Sequence, residues 1–103
     1  MLQQVQSQHF QTLLGKTVSL RLPDGSELSI QIYTLEETPH SRMPNSERVP
    51  FSVEFNSLEP TAFVDGLCTL ELPMLGQVQG IFVSRVPAMG RDPDMGYFYI
   101  AFN

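Results

Sequence analysis

The sequence predicts an all-β domain: a six-stranded antiparallel, partly closed barrel or sandwich behind a short N-terminal α-helix. Two observations carry this prediction. Apolar residues recur at every second position in six separate runs, and clusters of Gly, Pro, Asp and Asn separate these runs. A length of 103 residues with 42% hydrophobic residues fits a single β domain over residues 1–103.

The N-terminal segment does not follow the two-residue period. Its apolar residues are spaced three to five apart, which is typical of a helix face, and Gly15 stands where a C-terminal cap usually stands. This spacing predicts a helix over residues 3–14 that plugs one end of the barrel. The apolar stripe comprises Leu2, Val5, His9, Phe10, Leu13 and Leu14.

From Thr17 onward the period is two residues, as expected for half-buried strands. Turns are predicted at residues 23–26 and at Asp65-Gly66. The alternating runs predict strands over residues 17–22, 28–35, 51–56, 68–72, 77–86 and 97–103.

The fifth run is apolar on both faces. Val78, Phe82 and Val86 share one face, while Ile81 and Val83 share the other, which predicts a central strand. The closing run, residues 97–103, is rich in aromatics and is expected to be held firmly in the sheet.

Residues 36–50 show no periodicity and include Pro39, Pro44, Asn45 and Ser46. We expect a long surface loop there, and it is the best place for sequence variation or recognition.

The charge balance argues against nucleic acid and membrane as partners. The formal net charge is −5, with six basic residues against eleven acidic ones, and no stretch combines basic residues with aromatics. The first residues form neither a basic start nor an apolar core, and no later run approaches the ~18 apolar residues of a membrane span. Cytoplasmic synthesis without a Sec signal peptide is expected.

Only two histidines offer a catalytic base. His9 lies on the apolar stripe, where a rim position is the ordinary reading, and His40 lies in the long loop near Glu36 and Glu37. Those three would form a metal or hydrolase site if they converged in a cleft, but loop charges are usually just solvated. We expect the protein to have no enzymatic activity and to bind neither a metal nor a cofactor.

Two further features invite a chemical interpretation. Cys68 is the only cysteine and lies on an apolar strand face, which predicts a buried, inert thiol. Residues 92–96 resemble the opening of a calcium loop, but the distal ligands are missing, so a polar turn is expected.

Surface recognition is the interpretation that remains. Tyr33, Tyr97 and Tyr99 lie opposite the main apolar rows of their strands, where the ring buries area and the hydroxyl keeps a hydrogen bond. Half-buried packing is the equal alternative. These tyrosines predict a protein partner or a homo-oligomer; in the alternative function, a small-ligand-binding β-barrel, they line the mouth.

Four fragments together resemble a family of uncharacterised bacterial domains of unknown function: FQTLLGKTVSLRLPDG, PFSVEFNS, LELPMLGQVQGIFVSRV and the terminal YFYIAFN. The resemblance covers the chain from end to end. Its matching positions are Leu14, Gly15, Pro50, Phe51, Ser52, Leu75, Gly76, Phe82, Val83, Val86, Ala101, Phe102 and Asn103.

The resemblance implies a shared all-β fold of about this length and assigns no functional residue. It further implies that the members of the family are encoded beside phage-tail-collar-like proteins, and hence that this protein is an accessory of a phage-tail-like assembly. The sequence departs from the family pattern at residues 63–66, where FVDG replaces a Pro-Gln-Gly turn. The function predicted is a non-enzymatic structural or protein-interaction module.

Overall fold

A computed structural model of the chain describes residues 2–41, 44 and 48–103. A 3-10 turn at Leu2–Gln4 precedes a four-residue helix, α1 (Gln8–Gln11), and a second 3-10 turn lies at Pro39–Ser41. The strands are β1 (Thr17–Arg21), β2 (Glu27–Glu37), β3 (Phe51–Pro60), β4 (Asp65–Leu72), β5 (Gly76–Val86) and β6 (Met95–Phe102).

The six strands close into one barrel in the order β1-β2-β3-β6-β5-β4, and all neighbours are antiparallel. Closure occurs where Leu20 pairs with Leu70 and Arg21 pairs with Thr69. The predicted all-β class with six antiparallel strands is confirmed. The barrel is fully closed, whereas a partly closed barrel or a sandwich was expected. The degree of closure could not be predicted, because the alternation within a strand carries no information about which strands lie beside it.

The two ends of the barrel differ in how they are covered. Two three-stranded meanders, β1 to β3 and β4 to β6, are joined by residues 61–64, which cross one end. We call this the crossover end; it also carries the β1–β2 turn and the β5–β6 loop. The opposite end receives the N-terminal segment and is called the helix end.

Alternate side chains of every strand fill the interior and exclude water from it, which is the main favourable term in folding. The buried cluster consists of Val5, Phe10, Leu20, Leu28, Ile30, Ile32, Phe51, Val53, Phe55, Cys68, Leu70, Leu72, Val78, Ile81, Val83, Phe98, Ile100 and Phe102.

Aromatic rings seal both ends of this core. At the helix end, the ring centroid of Phe10 lies 5.9 Å from that of Phe51 and 5.6 Å from that of Phe102. At the crossover end, the ring of Phe98 packs against Phe55 at 5.5 Å and Phe63 at 5.6 Å. The expected plug at one end is therefore present, with Phe10 as its central side chain.

The N-terminal helix is much shorter than the predicted range 3–14. Five residues advance a helix by about 140° beyond a full turn, so one continuous helix could not turn Val5 and Phe10 toward the same core. A break between them lets both be fully buried. At the break, the backbone N–H of Gln6 donates to Nδ1 of His9 at 2.9 Å.

Several strand ends also differ from the predicted bounds. β4 begins at Asp65, so Asp65-Gly66 belongs to a strand and not to a turn, and β6 includes Gly96, which was expected in the preceding loop. Gly66 has a φ of 152°, and a Cβ there would lie 2.8 Å from Cγ of Pro23. Of the loop expected at 36–50, residues 42, 43 and 45–47 lie outside the described part, and residues 36 and 37 extend β2.

Candidate functional site

Two of the predicted tyrosines lie on the outer wall of β6. Their neighbours along the strand, Phe98 and Ile100, are at most 1% exposed and point into the barrel. Tyr97 and Tyr99 therefore face outward, because side chains alternate along a strand. Tyr99 is 38% exposed, whereas Tyr97 is only 8% exposed.

Tyr33 faces outward beside the buried Ile32 and lies at a bulge in β2. Ile32 pairs with Phe55 and Thr34 pairs with Glu54, so Tyr33 is the extra residue between the two pairs. Its ring is 39% exposed. Its hydroxyl donates to Oε2 of Glu54 at 3.2 Å, which fixes the direction of the ring across β3.

Arg91 covers Tyr97 and connects it to Tyr33. The guanidinium carbon lies 3.8 Å from the ring centroid of Tyr97 and 5.9 Å from that of Tyr33. Nη1 donates to the Tyr33 hydroxyl at 3.0 Å, and Nε donates to the Ala88 carbonyl at 2.7 Å. Tyr97 is thus held in second-layer packing, the alternative interpretation, while Tyr33 remains accessible.

Phe82 is an exposed aromatic that alternation assigned to the same face as the buried Val78. A bulge in β5 accounts for the difference, because Cys68 pairs with Ile81 and Leu70 pairs with Val78, leaving one extra residue on β5. Val78 and Ile81 both point inward, and Phe82 is 55% exposed.

The sequence carried a signal for this bulge. Gly80 sits inside an otherwise alternating run, and a glycine at such a place often marks a bulge. In the structure Gly80 has a φ of +75°, a left-handed conformation that other residues rarely adopt. Counting the alternation afresh after Gly80 would have placed Phe82 outside.

Leu67 lies directly opposite Phe82 in the β4–β5 ladder and is 59% exposed. The β5–β6 ladder pairs Ser84 with Tyr99, and Phe82 is two residues from Ser84 along β5. Phe82 lies beyond the end of this ladder, on the part of β5 that does not pair with β6. It is therefore a direct neighbour of Leu67 and lies two residues beyond the pair that contains Tyr99.

We call the outer surface that carries Tyr33, Tyr99, Phe82 and Leu67 the outer aromatic face. Taking about 200 Å² for a large side chain, the exposed fractions of these four amount to roughly 400 Å². These four side chains lie on β2, β6, β5 and β4 of a closed six-stranded barrel, so their exposed area is spread around the wall, and only Phe82 and Leu67 pair directly.

The outer aromatic face carries the acidic residues Glu54 and Asp65, and the basic residues Arg91 and Arg48 border it. Glu54 lies between Tyr33 and Tyr99 in the strand order, and Asp65 pairs with Ser84 beside Phe82. Arg91 already donates to the Ala88 carbonyl and to Tyr33.

Cys68 points into the barrel and is 1% exposed. Burial raises the pKa of its thiol to about 11, since the apolar interior disfavours the thiolate. The thiol lies 3.7 Å from the Gly66 carbonyl oxygen and acts as a weak donor to it. The thiol is therefore mainly protonated at neutral pH and lacks the reactivity of a thiolate.

The histidines and glutamates considered for chemistry take ordinary surface positions or local hydrogen bonds. His9 accepts a hydrogen bond from Gln6 at the break in the N-terminal helix, and His40 lies in the 3-10 turn and is exposed. Glu37 accepts a hydrogen bond from Ser7 at 3.2 Å. Within the described residues, no group of three or more His, Cys, Asp or Glu side chains could hold a metal ion.

The calcium-like run is a local turn followed by the start of β6. Oδ1 of Asp92 accepts a hydrogen bond from the backbone N–H of Asp94 at 3.0 Å, as in an Asx turn. Asp24 makes the same contact with Ser26 in the β1–β2 turn, and these hydrogen bonds lower the pKa of Asp24. The expected polar turn at residues 92–94 is present.

The barrel mouth is not where the tyrosines lie. Aromatic side chains close both ends of the core, and Tyr33 and Tyr99 lie on the outer wall. Tyr97 borders an outer cleft of about 400 Å³ beside Arg85 and Pro93. The tyrosines therefore do not line a site inside the barrel, as the ligand-binding alternative had expected.

Over residues 2–41, 44 and 48–103, no helix has the length and hydropathy needed to cross a membrane.

Comparison with known protein families identified the family of this chain. A family model described as "Domain of unknown function (DUF6916)" matches residues 5–102, which is nearly the whole chain. Searches of curated proteins and of solved structures found no match.

Proposed function

Since the chain belongs to the DUF6916 family of domains of unknown function, we propose a role for it from its own geometry. It is a non-enzymatic protein-interaction module that binds another protein through the outer aromatic face. The observation that carries this proposal is the exposure of Phe82 and Leu67, 55% and 59%, directly opposite each other on the barrel wall.

A protein surface is the kind of partner that such a face fits. Aromatic side chains are enriched at the centre of protein interfaces, where exclusion of water makes them contribute most. Keeping Phe82 and Leu67 in water costs the chain part of its hydrophobic stabilisation, about 25 cal/mol for each Å² left exposed. Binding a complementary apolar surface recovers that free energy.

The partner is a different protein with basic residues around an apolar centre. Two copies of this chain meeting through the outer aromatic face would bring two charges of −5 together. Basic residues on a different protein would complement Glu54 and Asp65 and speed association.

The residues considered for catalysis support a non-enzymatic role by the positions they take. His9 holds a helix break, and Cys68 has a raised pKa in the core. An accessory role in a phage-tail-like assembly, as the sequence resemblance implied, is compatible with a binding module and is part of the proposal. The genes flanking this one test that part directly.

Photo-crosslinking from position 82 tests the proposed interface. A benzophenone amino acid replaces Phe82 in one variant and Val64 in a matched control; Val64 is equally apolar and 59% exposed, but lies in the crossover. We expect an adduct with one other protein from position 82 only. The double reversal Glu54→Lys with Asp65→Lys should weaken that adduct.

Three outcomes contradict the proposal. Equal adducts from positions 82 and 64 would indicate unspecific contact, and no adduct from position 82 would remove the interface. An adduct between two copies of this chain would show that the partner is a second copy and not a different, basic protein.

A further inference from the structure

The barrel wall has a seam between β5 and β6. These two strands pair only from Ser84 with Tyr99 to Val86 with Tyr97, although β5 is eleven residues long and all residues of both strands are described. Toward the helix end the two strands diverge. A cleft of about 260 Å³ marks the divergence, with Ile81 on one side and Ile100 on the other.

The N-terminal segment, residues 2–5, lies across this seam. Cδ1 of Leu2 is 3.7 Å from the place a Cβ would occupy on Gly80, so the bulge in β5 leaves room for Leu2. Val5 is fully buried and belongs to the core cluster. The segment thus supplies apolar cover where the strand ladder is missing.

Arg48 ties this segment to the end of β6. Its Nη1 donates to the Leu2 carbonyl at 2.8 Å and to the Val5 carbonyl at 3.0 Å. Its Nε and Nη2 donate to the backbone oxygen of Asn103 at 2.9 and 2.7 Å. The guanidinium carbon also lies 5.5 Å from the ring centroid of Phe102.

The other side of the β4–β5 hairpin is also weakly joined. β4 pairs with β1 through two residue pairs, Leu20 with Leu70 and Arg21 with Thr69, whereas β2 and β3 share seven. The joint to β6, at residues 84–86, lies far from the hairpin tip, whereas the joint to β1, at residues 69 and 70, lies near it. Residues 2–5 belong to no strand, so their detachment breaks no strand ladder. Most other openings of the barrel separate paired strands.

We propose that residues 2–5 form a strap that closes the β5–β6 seam, with Arg48 as its latch. The strap detaches by itself while the strands stay folded. Local openings of this kind cost less free energy than global unfolding, because they expose only part of the core and leave the ladders intact.

Thiol labelling in the native state tests this device. Val5→Cys and Ile30→Cys are made separately in a Cys68→Ala background; both positions are fully buried, but Ile30 lies in the middle of β2. We expect the thiol at position 5 to be labelled at least tenfold faster than the thiol at position 30. The latch variant Arg48→Lys should accelerate labelling at position 5 a further tenfold and leave position 30 within about threefold.

Arg91→Lys is the matched control, because Arg91 also donates to backbone carbonyls but is remote from the strap. Equal labelling rates at positions 5 and 30, or equal acceleration of both by Arg48→Lys, would show that the strap opens only with the whole barrel and would overturn the proposal. If a cysteine variant fails to fold, amide hydrogen exchange at Val5 and Ile30 in the unmodified chain makes the same comparison.

Discussion

Gly96 lies directly against the ring of Phe98: the place that a Cβ would occupy on residue 96 is 2.5 Å from Cε2 and 2.6 Å from Cζ of that ring. Phe98 is fully buried between Phe55 and Phe63 and has no room to move away. We therefore expect Gly96→Ala to lower the free energy of unfolding by about 1–3 kcal/mol, the usual cost of overpacking a core. Urea denaturation measures this, and Ala101→Ser, an exposed change on the same strand, should stay within about 0.5 kcal/mol of the parent. Equal stability of the two variants would contradict the packing described at the crossover end.

Arg85 fastens the crossover to the barrel. Its Nη1 donates to the carbonyls of Thr61 and Phe63, both at 2.9 Å, and its guanidinium carbon lies 5.8 Å from the ring centroid of Phe98. Lysine keeps the charge but loses the planar fork that reaches both carbonyls. Arg85→Lys should destabilise the protein by about 1–3 kcal/mol in urea denaturation, since part-buried carbonyls lose their donors. Arg21→Lys, on the exposed outer wall, is the control and should be nearly neutral.

Met74 holds a left-handed backbone at the tip of the β4–β5 hairpin, with a φ of 70° and a side chain 97% exposed. A non-glycine residue pays about 1–2 kcal/mol for this conformation, and the exposed side chain recovers little of it. Met74→Gly removes this strain and thereby stabilises the folded state. Glycine also gains conformational freedom in the unfolded chain, so the net stability is expected to rise or to stay unchanged. Thermal unfolding checks this against Met74→Ala, which keeps the strain. A large loss of stability in the glycine variant alone would show that the side chain has a packing role.

Burial of Cys68 links stability to alkaline pH. The folded state keeps the thiol proton up to a pKa of about 11, whereas an unfolded thiol loses it near pH 8.5, so the unfolded state binds fewer protons between these values. Stability is therefore fully present below about pH 8.5 and decreases as the pH rises toward 11. The free energy of unfolding should fall more steeply over this range in the parent than in Cys68→Ala. Parallel pH profiles would contradict a buried, protonated thiol.

Much of this fold can be read from alternation alone. Tyr33, Tyr97 and Tyr99 were expected opposite the apolar rows of their strands, and the buried residues Ile30 and Ile32 of β2 and Phe98 and Ile100 of β6 form those rows, because the core accepts only one face of a half-buried strand. Closure of β1 onto β4 depends on contacts between residues about fifty positions apart and leaves no periodic trace.

The candidate site was only partly predictable. Tyr33 and Tyr99 were placed on an outer face, and they are exposed there. Tyr97 is covered by Arg91 from another loop, a contact that no local pattern encodes. Phe82 was missed since the bulge at Gly80 reverses the alternation after it.

The affinity of the crosslinked partner for two matched variants tests the central claim most directly. Phe82→Ser removes the aromatic ring from the outer aromatic face, while Val64→Ser removes an equally exposed apolar side chain from the crossover. Loss of an interface hot spot costs at least about 2 kcal/mol, so Phe82→Ser should raise the Kd about thirtyfold while Val64→Ser leaves it within about twofold. Calorimetric titration that gives the same Kd for both variants would contradict binding through the outer aromatic face.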